Sequence, residues 1–304
     1  MTADPVDVIA RTLLYEGYLL YPYRRCAVKN QQRFNFGVLY PEAFCAAGGV
    51  PGTDRSQLQM EVPVEGDGDT RVGASVRFLQ LIDRQTDDQS KPWQEALERE
   101  VLTPDVNLTS ASRTSSHVAF EYPNVRGEVF FKYKEVRPGV WRFMLRVSNL
   151  TALDSTGLLR DAVLCHSLVS VHVIVKASGG RFVSLLDPPE PFRDVVAACN
   201  NVGVWPVLVG DVGSRDRMLA SPIILYDYPQ VAPESAGDLF DATEIDEILA
   251  LRILTLTDDE KREARETDDR VRQVLDRTED LPPEHWARLH GAIRTLRRVR
   301  EGTS

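Results

Sequence analysis

From Val6 to Leu20 the apolar residues Val6, Ile9, Ala10, Leu13 and Leu14, with Tyr18, recur at helical spacing and fall on one stripe. Asp4-Pro5 in front supplies a cap and a proline for the first turn. A helix is therefore predicted, ending near Gly17 and at the latest before Pro22, because the residue preceding a proline is pushed out of the helical region. From about Ser56 to Phe182 the period changes to two. The runs LQMEVPVEG, TRVGASVRFLQLID, SHVAFEYPN and LVSVHVIVKASGGRFVSLL are bounded by Gly, Pro, Asp and Asn and read as strands. The clearest pair is GEVFFKYKEV, a turn at Arg137-Pro138-Gly139, and VWRFMLRVSNL. Trp141, Phe143, Leu145 and Val147 share one face there, with Arg142, Met144 and Arg146 on the other, so one face is expected buried and the other largely wet.

Between these strands the stretch Thr86 to Lys91 is polar, and PWQEALEREVL, Pro92 to Leu102, is rich in helix formers behind a leading proline; a short crossover helix is predicted. Gly179-Gly180 reads as a hairpin turn, PFRDVVAACNN as a helix, and GVWPVLVG as a strand that Pro206 confines to a sheet edge. Beyond Asp227 the texture changes again. Seven acids accumulate from Asp227 to Glu247 without a base, and Thr257-Asp258-Asp259-Glu260 then has capping-box spacing before a helix to about Arg277. Pro282-Pro283 opens a last helix to about Arg300. The expected fold class is α+β: an antiparallel β-rich main domain over 1–228 with flanking helices, then an acidic connector and a C-terminal helical hairpin over 229–304.

At 304 residues, 43% apolar and 27% charged, the chain has the composition of an ordinary folded protein. No run approaches the roughly 20 apolar residues that span a bilayer, and the N-terminus carries early acids and no cleavage-like site. Four widely spaced cysteines, Cys26, Cys45, Cys165 and Cys199, suit a reducing compartment. A cytoplasmic protein without membrane insertion is expected. The net charge of -9 argues against nucleic acid, whose phosphates are held by accumulated Lys and Arg.

Against that acidic balance one segment stands apart. From Tyr15 to Tyr40 no acid occurs between Glu16 and Glu42, while Arg24, Arg25, Lys29 and Arg33 supply four positive charges among five of the nine tyrosines. Guanidinium forks beside phenol rings are the anchors of protein interfaces and of bidentate carboxylate or phosphate recognition. Tyr21, Tyr23, Arg24, Arg25, Lys29, Asn30 and Arg33 are the expected contact residues for a partner. Two further readings are open: the tyrosines fill the core while the cations pair with the acidic connector, or the same cations hold an anionic substrate in a cleft. The C-terminal arginines Arg288, Arg294, Arg297, Arg298 and Arg300 are explained by the helix dipole and rank second as a docking patch.

Chemical motifs are scarce. The chain has no C-x-x-C and no H-E-x-x-H, and His285 and His290 lie about 140° apart around a helix. His166 and His172 would stand about 20 Å apart along a strand, too far for one ion. Gly48-Gly49, Gly52 and Gly179-Gly180 match no phosphate-binding loop. Cys26 alone has cationic neighbours, and Cys165 and Cys199 sit in core-like patterns. Neither a metal nor a cofactor is expected, and no catalytic residue is assigned.

Two stretches, YEGYLLYPYRRCAVKNQQRFNFGVLYP and SAGDLFDATEIDEILALRILTLTDDEK with the helices ending in LHGAIRTL, resemble a protein family encoded in nickel-iron hydrogenase gene clusters, a family without an assigned activity. The resemblance covers a small share of the chain. It implies a non-catalytic accessory role in hydrogenase assembly or maturation, with a hydrogenase subunit or another maturation protein as partner. The alternative is an enzyme or small-ligand binder that uses the cationic segment.

Overall fold

The computed structural model describes residues 4–15, 36–48, 54–84, 93–108, 115–154 and 158–230, together with Lys261, Arg262, Arg265, Arg272 and Asp276, which are helical. Period-two alternation builds two antiparallel sheets. The first runs β5 (Ser115–Tyr122), β6 (Val125–Arg137), β7 (Val140–Asn149), β1 (Gln57–Glu65) and β9 (Arg181–Phe182). The second runs β10 (Trp205–Leu208), β11 (Arg217–Ser221), β8 (Val169–Ser178), β2 (Arg71–Arg84) and β3 (Trp93–Leu102), with β4 (Val106–Asn107) paired to the start of β2. Their apolar faces meet in one cluster that holds Met60, Val62, Phe131, Phe143 and Leu145 from one sheet and Val76, Phe78, Val173 and Val175 from the other. Each such side chain removed from water contributes about 1.5–3 kcal/mol, which makes the sandwich core the main stabilising element.

The β6–β7 hairpin closes through Pro138-Gly139, with Gly139 at φ 72° in the left-handed region that a side chain would resist. Trp141, Phe143, Leu145 and Val147 face the core as the alternation demands. Met144, expected on the wet face, is buried as well. It lies opposite Glu61, whose backbone N–H donates to Asn201 Oδ1, and Gln59 beside it donates to Asn200 O; the segment near residue 200 therefore covers that outer face.

Residues 93–102 form a strand where the residue preferences predicted a helix. β3 pairs with β2 along its whole length, from Trp93 opposite Arg84 to Leu102 opposite Ser75. Helix preference is worth only tenths of a kcal/mol per residue, and a ladder that also buries Ala96 against Leu81 and Val101 against Val76 outweighs it. The Gly179-Gly180 turn also differs from expectation. β8 and β9 do not pair with each other but belong to different sheets, so the turn carries the chain from one layer to the other. Pro206 does sit in an edge strand, β10.

A helix, α1 (Pro5–Leu14), adds a third layer on the outer face of the second sheet. Asp4 caps it by accepting from Val6 N, and its buried residues are Val6, Ile9, Ala10, Leu13 and Leu14. Val6, Ile9 and Leu13 pack against Ile174, Val207, Val209 and Leu219. The helix stops at Leu14, earlier than Gly17. Two short helices, α2 (Glu42–Gly48) and α3 (Arg160–Leu164), are too brief to announce themselves by period. The helix expected after Pro189 is a 3-10 turn, Glu190–Phe192, followed by α4 (Arg193–Ala197).

Asp227, first acid of the expected connector, belongs to this body. It accepts hydrogen bonds from Ser184 Oγ and Leu208 N, and Tyr228 donates its N–H to Leu208 O and its hydroxyl to Ser214 O. The other connector acids and the helical hairpin lie outside the described residues, apart from the five helical positions named above.

Candidate functional site

Tyr21, Tyr23, Arg24, Arg25, Lys29, Asn30 and Arg33, and Cys26 among them, lie outside the described residues. The two ends of their segment are described. Tyr15 and Tyr40 are both buried, at 0% and 1% exposure, and both belong to one apolar cluster with Leu14, Val38, Leu79, Leu81 and Leu164. The core reading of the tyrosines thus holds at these two positions. Tyr15 donates its hydroxyl to Glu98 Oε1 on β3, and backbone bonds Leu39 N to Leu168 O and Tyr40 N to Arg55 O fix the returning chain.

Around Tyr40 a charged group is built into the wall. The Arg160 guanidinium lies 4.9 Å from the Tyr40 ring centre and forks onto Asp54, with Nη2 at 3.0 Å from Oδ1 and Nη1 at 3.3 Å from Oδ2. The Asp54 side chain is only 2% exposed, so this pair satisfies a carboxylate that burial would otherwise penalise heavily. Burial pushes the Tyr40 phenol up to about 12 against the opposing pull of the Arg160 cation, and among the described residues no group meets its hydroxyl in hydrogen-bonding geometry. A cleft of about 180 Å³ opens beside it, lined in part by Phe36, Arg55, Gly203 and Trp205. With the phenol held neutral, the group is suited to anchoring.

A larger cleft, of about 430 Å³, lies where α1 crosses the outer face of the second sheet. Its floor is the outward row of β2, Arg71, Gly73, Ser75 and Arg77, beside Ile174, Lys176 and Ser178 of β8. Two of its cations are engaged: Arg77 bridges Asp7 at 2.8 Å and Glu100 at 2.9 Å, and Arg217 binds Asp4. Against burial, the Ser75 hydroxyl and then Arg77, both donating to Glu100, hold that carboxyl below its ordinary value, and the Arg217 bond does the same for Asp4. Arg71, Lys176 and Asp105 also line the cleft, and none of their side chains makes a hydrogen bond or ion pair among the described residues. The missing side chain of Gly73 makes room for the Asp105 carboxylate, which any Cβ there would push aside.

His172, opposite Arg77 in the β2–β8 ladder, is fully buried. Its Nδ1–H donates to Ser170 O at 3.0 Å, which leaves Nε2 as an acceptor without a partner among the described residues. Burial first, and the neighbouring Arg77 cation in the same direction, lower its pKa to about 4. The thiols of Cys165 and Cys199 are pushed up to about 12 and about 11 by burial, and that of Cys45 is raised too. Depleted in thiolate, all three are poor nucleophiles. Among the described residues no group of three His, Cys, Asp or Glu side chains is placed to hold a metal ion, and no helix is long and apolar enough to cross a membrane.

Sequence reasoning missed the cleft residues. The alternation of Arg71, Gly73, Ser75 and Arg77 with buried Val72, Ala74, Val76 and Phe78 was a visible signal for an outward face, but not for its meeting with Lys176 and Asp105. No family model matches the chain, and no curated protein matches it.

Proposed function

We propose that this chain is a non-catalytic accessory protein for nickel-iron hydrogenase assembly or maturation. It acts in the cytoplasm and binds a hydrogenase subunit or another maturation protein through Tyr21, Tyr23, Arg24, Arg25, Lys29, Asn30 and Arg33. The reading rests on the resemblance of the 15–40 segment and of the C-terminal stretches to that family. One structural observation supports it: Tyr15 and Tyr40, the flanks of the cationic segment, are anchored in one cluster of the β-sandwich. A recognition segment held at both ends on a rigid scaffold loses less freedom on binding than a free tail does.

The test is replacement of Arg24, Arg25 and Arg33 together by alanine in the tagged full chain. Co-purification of hydrogenase components from the native host should vanish while the thermal unfolding midpoint stays within a few degrees of the parent. Undiminished recovery of the partner removes this surface from the reading. Recovery of metabolic enzymes alone by the parent chain removes the hydrogenase role itself.

A further inference from the structure

We propose that the cleft between α1 and the outer face of the second sheet binds a small organic anion, with Arg71 and Lys176 holding a carboxylate or phosphate and Asp105 receiving a hydroxyl or ammonium of the same ligand. The volume, about 430 Å³, falls within the range of small-molecule sites. Charge inside the cleft is divided into two classes. Arg77 is paired with Asp7 and Glu100 and Arg217 with Asp4 and Asp216, and the bridges to Asp7 and Asp4 tie the helix to the sheet. Arg71, Lys176 and Asp105 make no ion pair or side-chain hydrogen bond among the described residues, although the Lys176 charge also acts on Asp4. Their sum is one positive charge.

The sheet register places these three groups together. Lys176 pairs directly opposite Gly73, and Arg71 stands two residues before Gly73 on the same face of β2. Asp105 occupies the space above Gly73 that any other residue would fill. Ser75 and Ser178, small and polar, line the cleft alongside and keep it open for a ligand with hydrogen-bonding oxygens. A guanidinium fork beside a flexible ammonium is the pairing that grips an oxyacid group, bidentately from one side and by point charge from the other. The carboxylate in the same cleft disfavours bare polyanions and selects ligands that present a donor next to the anion.

Isothermal titration of the full chain with inorganic phosphate, succinate and L-aspartate tests this. At least one of the three should bind saturably, with L-aspartate tighter than succinate because its ammonium meets Asp105. The double variant Arg71→Gln/Lys176→Gln should weaken binding about tenfold or more, as expected for losing charge-assisted contacts. Both residues are exposed, so the melting curve of that variant should overlay the parent. Gly73→Ala, which forces the Asp105 carboxylate from its place, should weaken L-aspartate more than phosphate. Failure of all three probes to saturate, or unchanged affinity in the double variant, overturns the proposal.

Discussion

His172 offers the sharpest test of the physical account, because its effect on stability has a defined pH window. The imidazole is sealed between Ser170, whose hydroxyl donates to Leu13 O of α1, and Ile174, which packs under the same helix. Protonating Nε2 would place a cation without an acceptor beside Arg77, with Glu100 the nearest compensating charge. The folded-state pKa is depressed from 6.5 to about 4, so in that interval the unfolded chain binds a proton that the folded chain refuses. Stability is therefore complete above the unfolded value and falls as pH drops toward 4. Each pH unit in the window removes a little over 1 kcal/mol, about 2–3 kcal/mol between about pH 7 and about pH 4.5.

His172→Leu abolishes this proton linkage at similar volume and removes the orphaned nitrogen. Urea unfolding of both proteins at the two pH values isolates the effect, since titrating groups that do not interact with His172 cancel in the difference, and Glu100, which does, enters only as a smaller coupled contribution. The variant should gain about 2–3 kcal/mol relative to the parent on acidification. Its stability at neutral pH should be near the parent's, the lost Ser170 contact being offset by the departure of an unsatisfied polar atom. Parallel pH curves for the two proteins would refute the burial argument.

Other outcomes follow from single contacts. Arg160→Ala strips the buried Asp54 carboxylate of its fork and should cost about 2–3 kcal/mol in urea unfolding, partly recovered in the Asp54→Ala/Arg160→Ala double variant. A cost below about 0.5 kcal/mol would reduce the pair to surface decoration. Gly127→Ala drives a methyl into the Phe120 ring and the Ser148 carbonyl, and should lower stability by about 2 kcal/mol in the same assay. In the native protein Cys45, Cys165 and Cys199 should react with iodoacetamide far more slowly at mildly alkaline pH than they do in denaturant, as mass spectrometry of the labelled peptides would record.

What could be read from the chain was what its local periods encode. The stripe of α1, the alternation of β7 and the edge position signalled by Pro206 all reappear in the structure, because each depends on a short run of neighbours. β3 was misread because its preferences and its partner disagree: Glu, Ala, Leu and Arg favour a helix locally, whereas the open edge of β2, the strand just before it, offers a full ladder that no residue preference within 93–102 records. Met144 failed for a related reason, since the residues that cover it come from near residue 200. The candidate cleft was least legible. Gly73, Asp105 and Lys176 become neighbours only through strand register, and nothing in the spacing of three separated residues announces that meeting.

The turn at Gly179-Gly180 also bears on how the protein is made. Sheet membership switches repeatedly along the chain: β1 belongs to the first sheet, β2 to β4 to the second, β5 to β7 to the first, β8 to the second and β9 to the first again. β8 is the central strand of its sheet, flanked by β2 and β11. A ribosome that has released residues only as far as α3 thus presents a nearly finished first layer whose oily side is covered by β2 to β4 alone, without the β8, β11 and β10 half of the second sheet. Closure waits for the stretch that brings β8 and crosses the corner, so elongation through that point is the interval in which the newborn chain most needs shielding from its neighbours.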